Sequence, residues 1–161
     1  MHLPSFSQKL FLGRQCGEAP ILSSPRPRNE SWDDTLTADA YGPACHFNAS
    51  EGYLERIGIG QSADFHNINL IRPAGYEDQA LPVVWIYGGG FAQEASVENG
   101  MLIMAVTLNY RLGIFGFSGG YQVATLGIAN LGLKDQRMAL RWVQENFAAF
   151  AANALFPTHP I

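Results

Sequence analysis

Two glycine-rich motifs contain the residues that could do chemistry. Residues 116–120 read GFSGG, which fits the G-x-S-x-G pattern that presents a serine hydroxyl as a nucleophile. Residues 88–90 read GGG and directly follow an apolar run. Consecutive glycines let backbone N–H groups face a ligand without Cβ atoms in the way, so the loop could hold an oxyanion. A flexible turn is the alternative, and the strand predicted before the loop favours the oxyanion interpretation.

The residues around Ser118 argue against a nucleophile. A nucleophilic serine of this pattern lies between a strand and a helix, and the helix N-terminus favours the developing negative charge. After GFSGG the chain reads YQVATLGIANLG, whose β-branched residues and glycines disfavour a helix. The chain has 17 glycines, so the short pattern also arises easily by chance. We therefore predict that Ser118 is a loop serine and that no helix begins after it.

The sequence contains acids and a histidine that could serve as catalytic partners of Ser118, but their positions argue against that role. Asp135 or Glu145, followed by His159, would complete the order serine, acid, histidine. However, Glu145 falls on the polar side of a predicted helix, and His159 lies between prolines near the end of the sequence, where a mobile tail is expected. No catalytic set is recognisable from these residues.

The remaining histidines and the two cysteines suggest no metal or cofactor. His46 and His66 lie far apart without cysteine or acidic residues at ligand spacing, so we expect structural or solvated histidines. Cys16 and Cys45 could form one disulfide in an oxidising compartment or remain thiols, and we favour unpaired thiols.

Three strands and a helix are predicted around these motifs. Residues 64–72 alternate in polarity, which predicts a half-buried strand with Ile68 and Leu70 on one face, ending at Pro73. Residues 81–87 and 101–109 are apolar throughout, as in strands that are covered on both faces.

A long helix is predicted over residues 134–150, which contain no Gly or Pro. Ala139, Val143 and Phe147 recur there at helical spacing, with Met138 and Trp142 beside them. Buried strands next to such a helix indicate an α/β fold. Residues 1–47 are rich in Pro, Ser and Asn and are predicted to be loop.

Composition narrows the range of partners. The chain has 161 residues, 47% of them hydrophobic and 15% charged, as expected of one globular domain. A formal charge of −4 without a basic cluster gives no footprint for nucleic acid. No apolar run is long enough to span a bilayer, and the first 13 residues do not form a recognisable export signal.

Four motifs resemble one known family. They read AYGPAC at 40–45, LPVVWIYGGGF at 81–91, VTLNYRLGIFGF at 106–117 and NLGLKDQRMALRWVQENFAAF at 130–150. In wording and order they are similar to the amino-terminal part of the type-B carboxylesterases, the cholinesterase and fungal-type lipase family of α/β-hydrolases. The resemblance implies a partial domain at 41–150 between an irregular segment at 1–40 and a tail at 151–161.

The resemblance also implies a chemistry. Members hydrolyse carboxylic esters with a serine, an acid and a histidine, on ester or lipid substrates, and they are often exported. By this resemblance Gly89 and Gly90 are expected to form the oxyanion hole, with Gly88 in the same loop. Arg111 and Asp135 are expected to form a structural ion pair, and the loop that contains Ser118 carries no nucleophile.

The departures from the family pattern are informative. The family has SEDCL where residues 62–66 read SADFH, so the usual disulfide partner of Cys45 is replaced by Phe65. Residues 91–100 are much shorter than the family segment, as if a helix were lost. The family elbow GESAG is not found after residue 150.

These departures lead to one interpretation and two alternatives. We interpret the chain as a truncated carboxylesterase-like protein that is inactive alone and could self-associate through an exposed sheet edge. The first alternative is a non-catalytic interaction protein or a relic of a hydrolase gene. The second is a minimal hydrolase that uses Ser118.

Overall fold

A computed structural model describes residues 7–28, 35–48, 52–74, 83–89 and 105–150. Its strands and helices, in chain order, are β1 Gln8–Gln15, β2 Gly17–Glu18, β3 Arg26–Pro27, α1 Tyr53–Ile57, β4 Asn67–Pro73, β5 Val83–Trp85, β6 Ala105–Leu108, α2 Gly113–Phe117, α3 Tyr121–Thr125 and α4 Leu131–Phe150. A four-stranded sheet has the order β1-β4-β6-β5, and β2 pairs with β3 in a separate ribbon. Strand β4 is antiparallel to β1 and β6, whereas β5 is parallel to β6.

Strand β1 corrects the prediction for the amino-terminal segment. Residues 1–47 were expected to be loop, but the eight residues Gln8–Gln15 form a strand that pairs with β4. The local sequence QKLFLGRQ has a weak strand pattern, and the segment becomes a strand because the edge of β4 offers backbone partners. The prediction of irregular structure is therefore wrong for these residues. The division of the chain at residues 40 and 150 stays a prediction.

Strand β4 is buried on both faces, not on one. Ile68 and Leu70 are buried as predicted, but so are Asn67 and Asn69 on the opposite face. The amide of Asn69 accepts from the Gly13 N–H at 2.8 Å and donates to Thr107 Oγ1 at 3.1 Å. Long-range hydrogen bonds therefore allow polar side chains at positions where an alternating pattern suggests solvent.

The two apolar strands differ in burial. All four residues of β6 are buried, as predicted, but Val83 and Trp85 of β5 are 40% and 38% exposed. Because these two side chains share one face of β5, the prediction of a strand covered on both faces is wrong for β5. In the described part of the sheet β5 also has a strand on one side only. Residues 81–82 and 101–104 of the predicted strands, and the shortened segment 91–100, lie outside the described residues.

Helix α4 is close to its prediction and covers the sheet. It begins at Leu131, three residues earlier than predicted, and ends at Phe150. Met138, Ala139, Val143 and Phe147 are buried and pack in one core with β4 and β6. The helical period of the sequence is thus confirmed as the buried stripe of α4. No helix among the described residues is long and apolar enough to cross a membrane.

Candidate functional site

Two residues separate the end of β5 from Gly88, the first residue of the glycine loop. Tyr87 is buried, Gly88 is exposed, and Gly89 has φ +84°, in the left-handed region that favours glycine. Gly90 lies outside the described residues. A side chain at position 89 would be strained, so this glycine lets the backbone turn sharply after Tyr87. The oxyanion role of Gly89 and Gly90 stays a prediction.

A pair of stacked tyrosines joins the start of this loop to the end of β6. The rings of Tyr87 and Tyr110 lie 4.6 Å apart, with 17° between their planes. Tyr110 Oη donates to the Tyr87 carbonyl at 3.1 Å. Tyr87 Oη donates to the Tyr110 carbonyl at 3.3 Å and accepts from the Tyr110 N–H at 3.4 Å. Burial raises the pKa of Tyr87 well above its ordinary value, so this hydroxyl stays protonated.

Arg111, the next residue, forms a buried two-point contact with Asp135 of α4. Its Nε donates to Asp135 Oδ2 at 2.8 Å and its Nη2 to Oδ1 at 2.6 Å. The backbone N–H of Arg111 also donates to Oδ2, at 3.0 Å. Nη1 donates to the carbonyl of Ser23 at 2.6 Å and to that of Ile21 at 3.2 Å. Arg111 therefore links the segment after β6, helix α4 and the loop between β2 and β3.

His66 is the third member of this buried cluster. Its Nε2 lies 3.0 Å from Asp135 Oδ1, and its ring stacks on Phe65 at 4.3 Å. Among the described residues neither ring nitrogen has a well-aligned hydrogen-bond partner, so the contact with Asp135 is close but poorly oriented. The sequence predicted a structural or solvated histidine and gave no sign of this contact, because the two residues lie on distant segments.

The pKa of Asp135 is lowered by this environment. Burial acts to raise it, but the hydrogen bonds from Arg111 and the contact with His66 outweigh burial. Asp135 is therefore a carboxylate at neutral pH, and its two oxygens are engaged by the cluster. Such a carboxylate has a structural role and is not free to orient a catalytic histidine for Ser118.

Both cysteines are buried free thiols near this cluster. Burial raises the pKa of Cys16 to about 12 and that of Cys45 to about 11. Since the thiolate is the reactive form, neither sulfur is activated as a nucleophile.

Ser118 lies between two short helices. It follows α2 directly, and its hydroxyl donates to the Ile114 carbonyl within that turn. The prediction that no helix begins after Ser118 is wrong, because α3 starts at Tyr121; Gly120, with φ +120°, makes the turn into it. The serine nevertheless lacks the preceding strand of a nucleophile elbow, and its φ of −59° and ψ of 137° are unstrained.

The first glycine of GFSGG has a packing role. A Cβ on Gly116 would lie 2.1 Å from the carbonyl oxygen of Arg111, whereas one on Gly119 would meet no atom within 4 Å. Gly132 of α4 approaches the same carbonyl, at 2.7 Å from its own ideal Cβ. Gly116 and Gly132 therefore let α2 and α4 approach the backbone of Arg111 closely.

The structure brings together some candidate residues and separates others. Arg111, Asp135 and His66 meet in the core, whereas His46 and Glu145 are exposed. His159 lies outside the described residues. Within the described ranges no three His, Cys, Asp or Glu residues are grouped to hold a metal ion.

Comparison with known proteins identifies the family. The model of the carboxylesterase family matches residues 8–155. The chain belongs to the carboxylesterase family. Among curated carboxylesterase relatives, lipase 5 of Diutina rugosa is 33% identical over 94% of this chain and 34% of its own length. Acetylcholinesterase of Bungarus fasciatus is 34% identical over 89% of this chain and 27% of its own length.

Solved carboxylesterase structures agree with the fold. A thermophilic PNB esterase superposes with a TM-score of 0.76 at 32% identity, over 89% of this chain and 32% of that one. The described sheet and helices are thus a partial α/β-hydrolase fold, as the sequence predicted. The chain spans about a third of the length of lipase 5 and of the PNB esterase, and 27% of that of the acetylcholinesterase.

Proposed function

We propose that this chain forms the oxyanion-loop part of a carboxylic-ester hydrolase, acting on ester or lipid substrates. The amides of Gly89 and Gly90 would stabilise the oxyanion of the tetrahedral intermediate. The observation that carries this proposal is the left-handed backbone conformation of Gly89, which lies two residues after the buried Tyr87. The family membership supports the same reaction class.

We also propose that residues 1–161 do not hydrolyse esters by themselves. Acyl transfer needs a nucleophile and a base together with the oxyanion hole. In the part of the chain that the structure describes, Ser118 bonds to the Ile114 carbonyl, and His66 is buried against Asp135. These contacts support a structural role for both residues.

A fluorophosphonate probe tests the second proposal. The purified chain and its Ser118→Ala variant are treated with the probe, and any labelled peptide is mapped by mass spectrometry. Near-ultraviolet circular dichroism checks that both proteins are folded. We expect no labelling of Ser118 and no hydrolysis of p-nitrophenyl butyrate above the variant. Labelling at Ser118, together with activity that the variant loses, would establish a minimal hydrolase and contradict the proposal.

An interaction role is the second candidate function. In the described sheet β5 pairs on one side only, and Val83, Trp85 and Ile86 are 38–40% exposed. No charged residue lies between 83 and 89, whereas the opposite edge strand β1 carries Lys9 and Arg14. Charged side chains on an edge strand oppose pairing with another chain, so β5 is the edge strand that is open to such pairing. We propose that the chain self-associates through β5.

A further inference from the structure

We propose that Tyr110 is a positioning residue for the glycine loop, acting through its hydroxyl on the peptide between Tyr87 and Gly88. This inference rests on the proposed oxyanion role of the loop. It adds to that site a residue from the segment that follows β6, and it specifies the bond through which the residue acts.

The bond fixes a peptide plane. Tyr110 Oη donates to the Tyr87 carbonyl at 3.1 Å. A peptide unit is planar, and in its trans form the C=O and the following N–H point in opposite directions. Holding the Tyr87 carbonyl therefore also directs the Gly88 N–H away from Tyr110. The direction in which the chain enters Gly88 is set at the same point.

The donor is also anchored by residues outside the loop it holds. Tyr110 is buried, and Phe117 of α2 meets its ring edge-on, with centroids 6.3 Å apart. The next residue, Arg111, has its backbone N–H bonded to Asp135 of α4. The segment after β6 that carries the hydroxyl therefore packs against α2 and is bonded to α4. Three glycines have no side chains with which to hold their own conformation, so the restraint must come from such a neighbour.

The arrangement matters for catalysis because oxyanion donors act when they are preorganised. Without the Tyr110 hydroxyl, the Tyr87 carbonyl loses this partner and the peptide can rotate. The glycine amides would then sample several directions, although the stacked rings could stay in place. The consequence is a loss of anion affinity at the loop without a matching loss of the fold.

Two phenylalanine variants separate the hydrogen bond from the stack. Tyr110→Phe removes the hydroxyl that bonds to the loop carbonyl. Tyr87→Phe is the matched control, because its hydroxyl bonds to the backbone of Tyr110 and not to the loop. Both variants keep two stacked rings.

Amide hydrogen exchange, followed by nuclear magnetic resonance on the 161-residue chain, gives the first measurement. In Tyr110→Phe we expect the Gly88 and Gly89 amides to exchange about tenfold faster, with Val106 and Leu108 of β6 unchanged. In Tyr87→Phe we expect less than a twofold change at the glycines. Equal effects of the two variants, or no effect of Tyr110→Phe, would overturn the proposal. If Tyr110→Phe does not fold, rapid exchange of the Tyr110 hydroxyl proton in the wild-type protein would still overturn the proposal.

Acetate, whose carboxylate mimics an oxyanion, gives the second measurement. We expect acetate to shift the Gly89 amide resonance in the wild-type chain, with an apparent Kd about tenfold higher in Tyr110→Phe and unchanged in Tyr87→Phe. Equal affinity in all three proteins would overturn the positioning role. If acetate leaves the wild-type glycine resonances unmoved, the oxyanion function fails, while hydrogen exchange still decides whether Tyr110 orders the loop.

Discussion

Arg111 engages both carboxylate oxygens of Asp135, at 2.8 and 2.6 Å, and neither residue is accessible to solvent. The remaining nitrogen of the guanidinium, Nη1, donates to backbone carbonyls of the loop between β2 and β3. The pair therefore joins three segments that are distant in sequence. Two charges removed from water are tolerated here because nearly every donor and acceptor between them is satisfied.

The first prediction concerns the loss of one charge of this pair. Asp135→Asn leaves the Arg111 guanidinium buried without a counter-charge, so we expect the free energy of unfolding to fall by about 3–5 kcal/mol. Urea denaturation measures the change. Glu145→Gln is the matched control, since it makes the corresponding acid-to-amide change at an exposed position of α4. We expect the control to stay within about 0.5 kcal/mol of the wild type. Equal effects of the two variants would contradict the role of the pair.

The second prediction concerns pH. The pKa of Asp135 is lower in the folded protein than the ordinary value of about 3.9 expected when unfolded. The unfolded chain therefore takes up the proton first. The stabilisation is fully present above the unfolded pKa and is lost as the pH falls through the folded one. We expect wild-type stability to drop more steeply below about pH 4 than that of Asp135→Asn. Parallel curves from urea denaturation at several pH values would contradict this.

The third prediction is that His66 contributes little to stability. Its Nδ1 is buried and has no hydrogen-bond partner within the described part of the chain, and its Nε2 meets Asp135 in poor alignment. Leucine removes the unpartnered nitrogen, while Arg111 keeps its contact with the carboxylate. We expect His66→Leu to change the free energy of unfolding by less than about 1 kcal/mol, or to raise it. A loss as large as that of Asp135→Asn would show that the imidazole is an essential partner.

The fourth prediction tests the packing role of the glycine motif. A methyl group at Gly116 would collide with the Arg111 carbonyl, so we expect Gly116→Ala to destabilise the protein by about 1–3 kcal/mol. Gly119→Ala, three residues away in the same motif, enters open space. We expect it to be neutral, and thermal unfolding measures both variants. If Gly119→Ala cost as much as Gly116→Ala, the close approach would not be the reason for the glycine.

The fifth prediction tests self-association through β5. We expect the wild-type chain to associate in sedimentation velocity experiments, and Trp85→Lys to weaken association at least tenfold, because a charge on an edge strand opposes pairing. Leu10→Lys is the control, because Leu10 is 49% exposed on the opposite edge strand. A monomeric wild type at all concentrations, or equal effects of both lysines, would rule out β5 as the interface.

Some features of the fold could be predicted from the sequence and others could not. Helix α4 was predictable because its buried residues repeat at the helical period, which is a local signal. Strand β1 was not, since its strand conformation depends on pairing with β4. The burial of Asn69 was not predictable either, because nothing near it in sequence indicates the Gly13 amide that it binds.

The candidate site also contains residues that could be predicted from the sequence and contacts that could not. The glycine loop and the partners Arg111 and Asp135 could be named from family motifs. The His66 contact and the Tyr110 hydroxyl bond could not, since each depends on how two distant segments meet in space.

The bond between Arg111 and the Ser23 carbonyl has a kinetic consequence. It spans 88 residues of sequence, and its donor is in place only when β6 and α4 have already met. Closing so long a segment costs chain entropy before any contact compensates it. We therefore expect the 20–23 loop to dock after the rate-limiting step of folding. Weakening its attachment should then speed unfolding and leave the folding rate nearly unchanged.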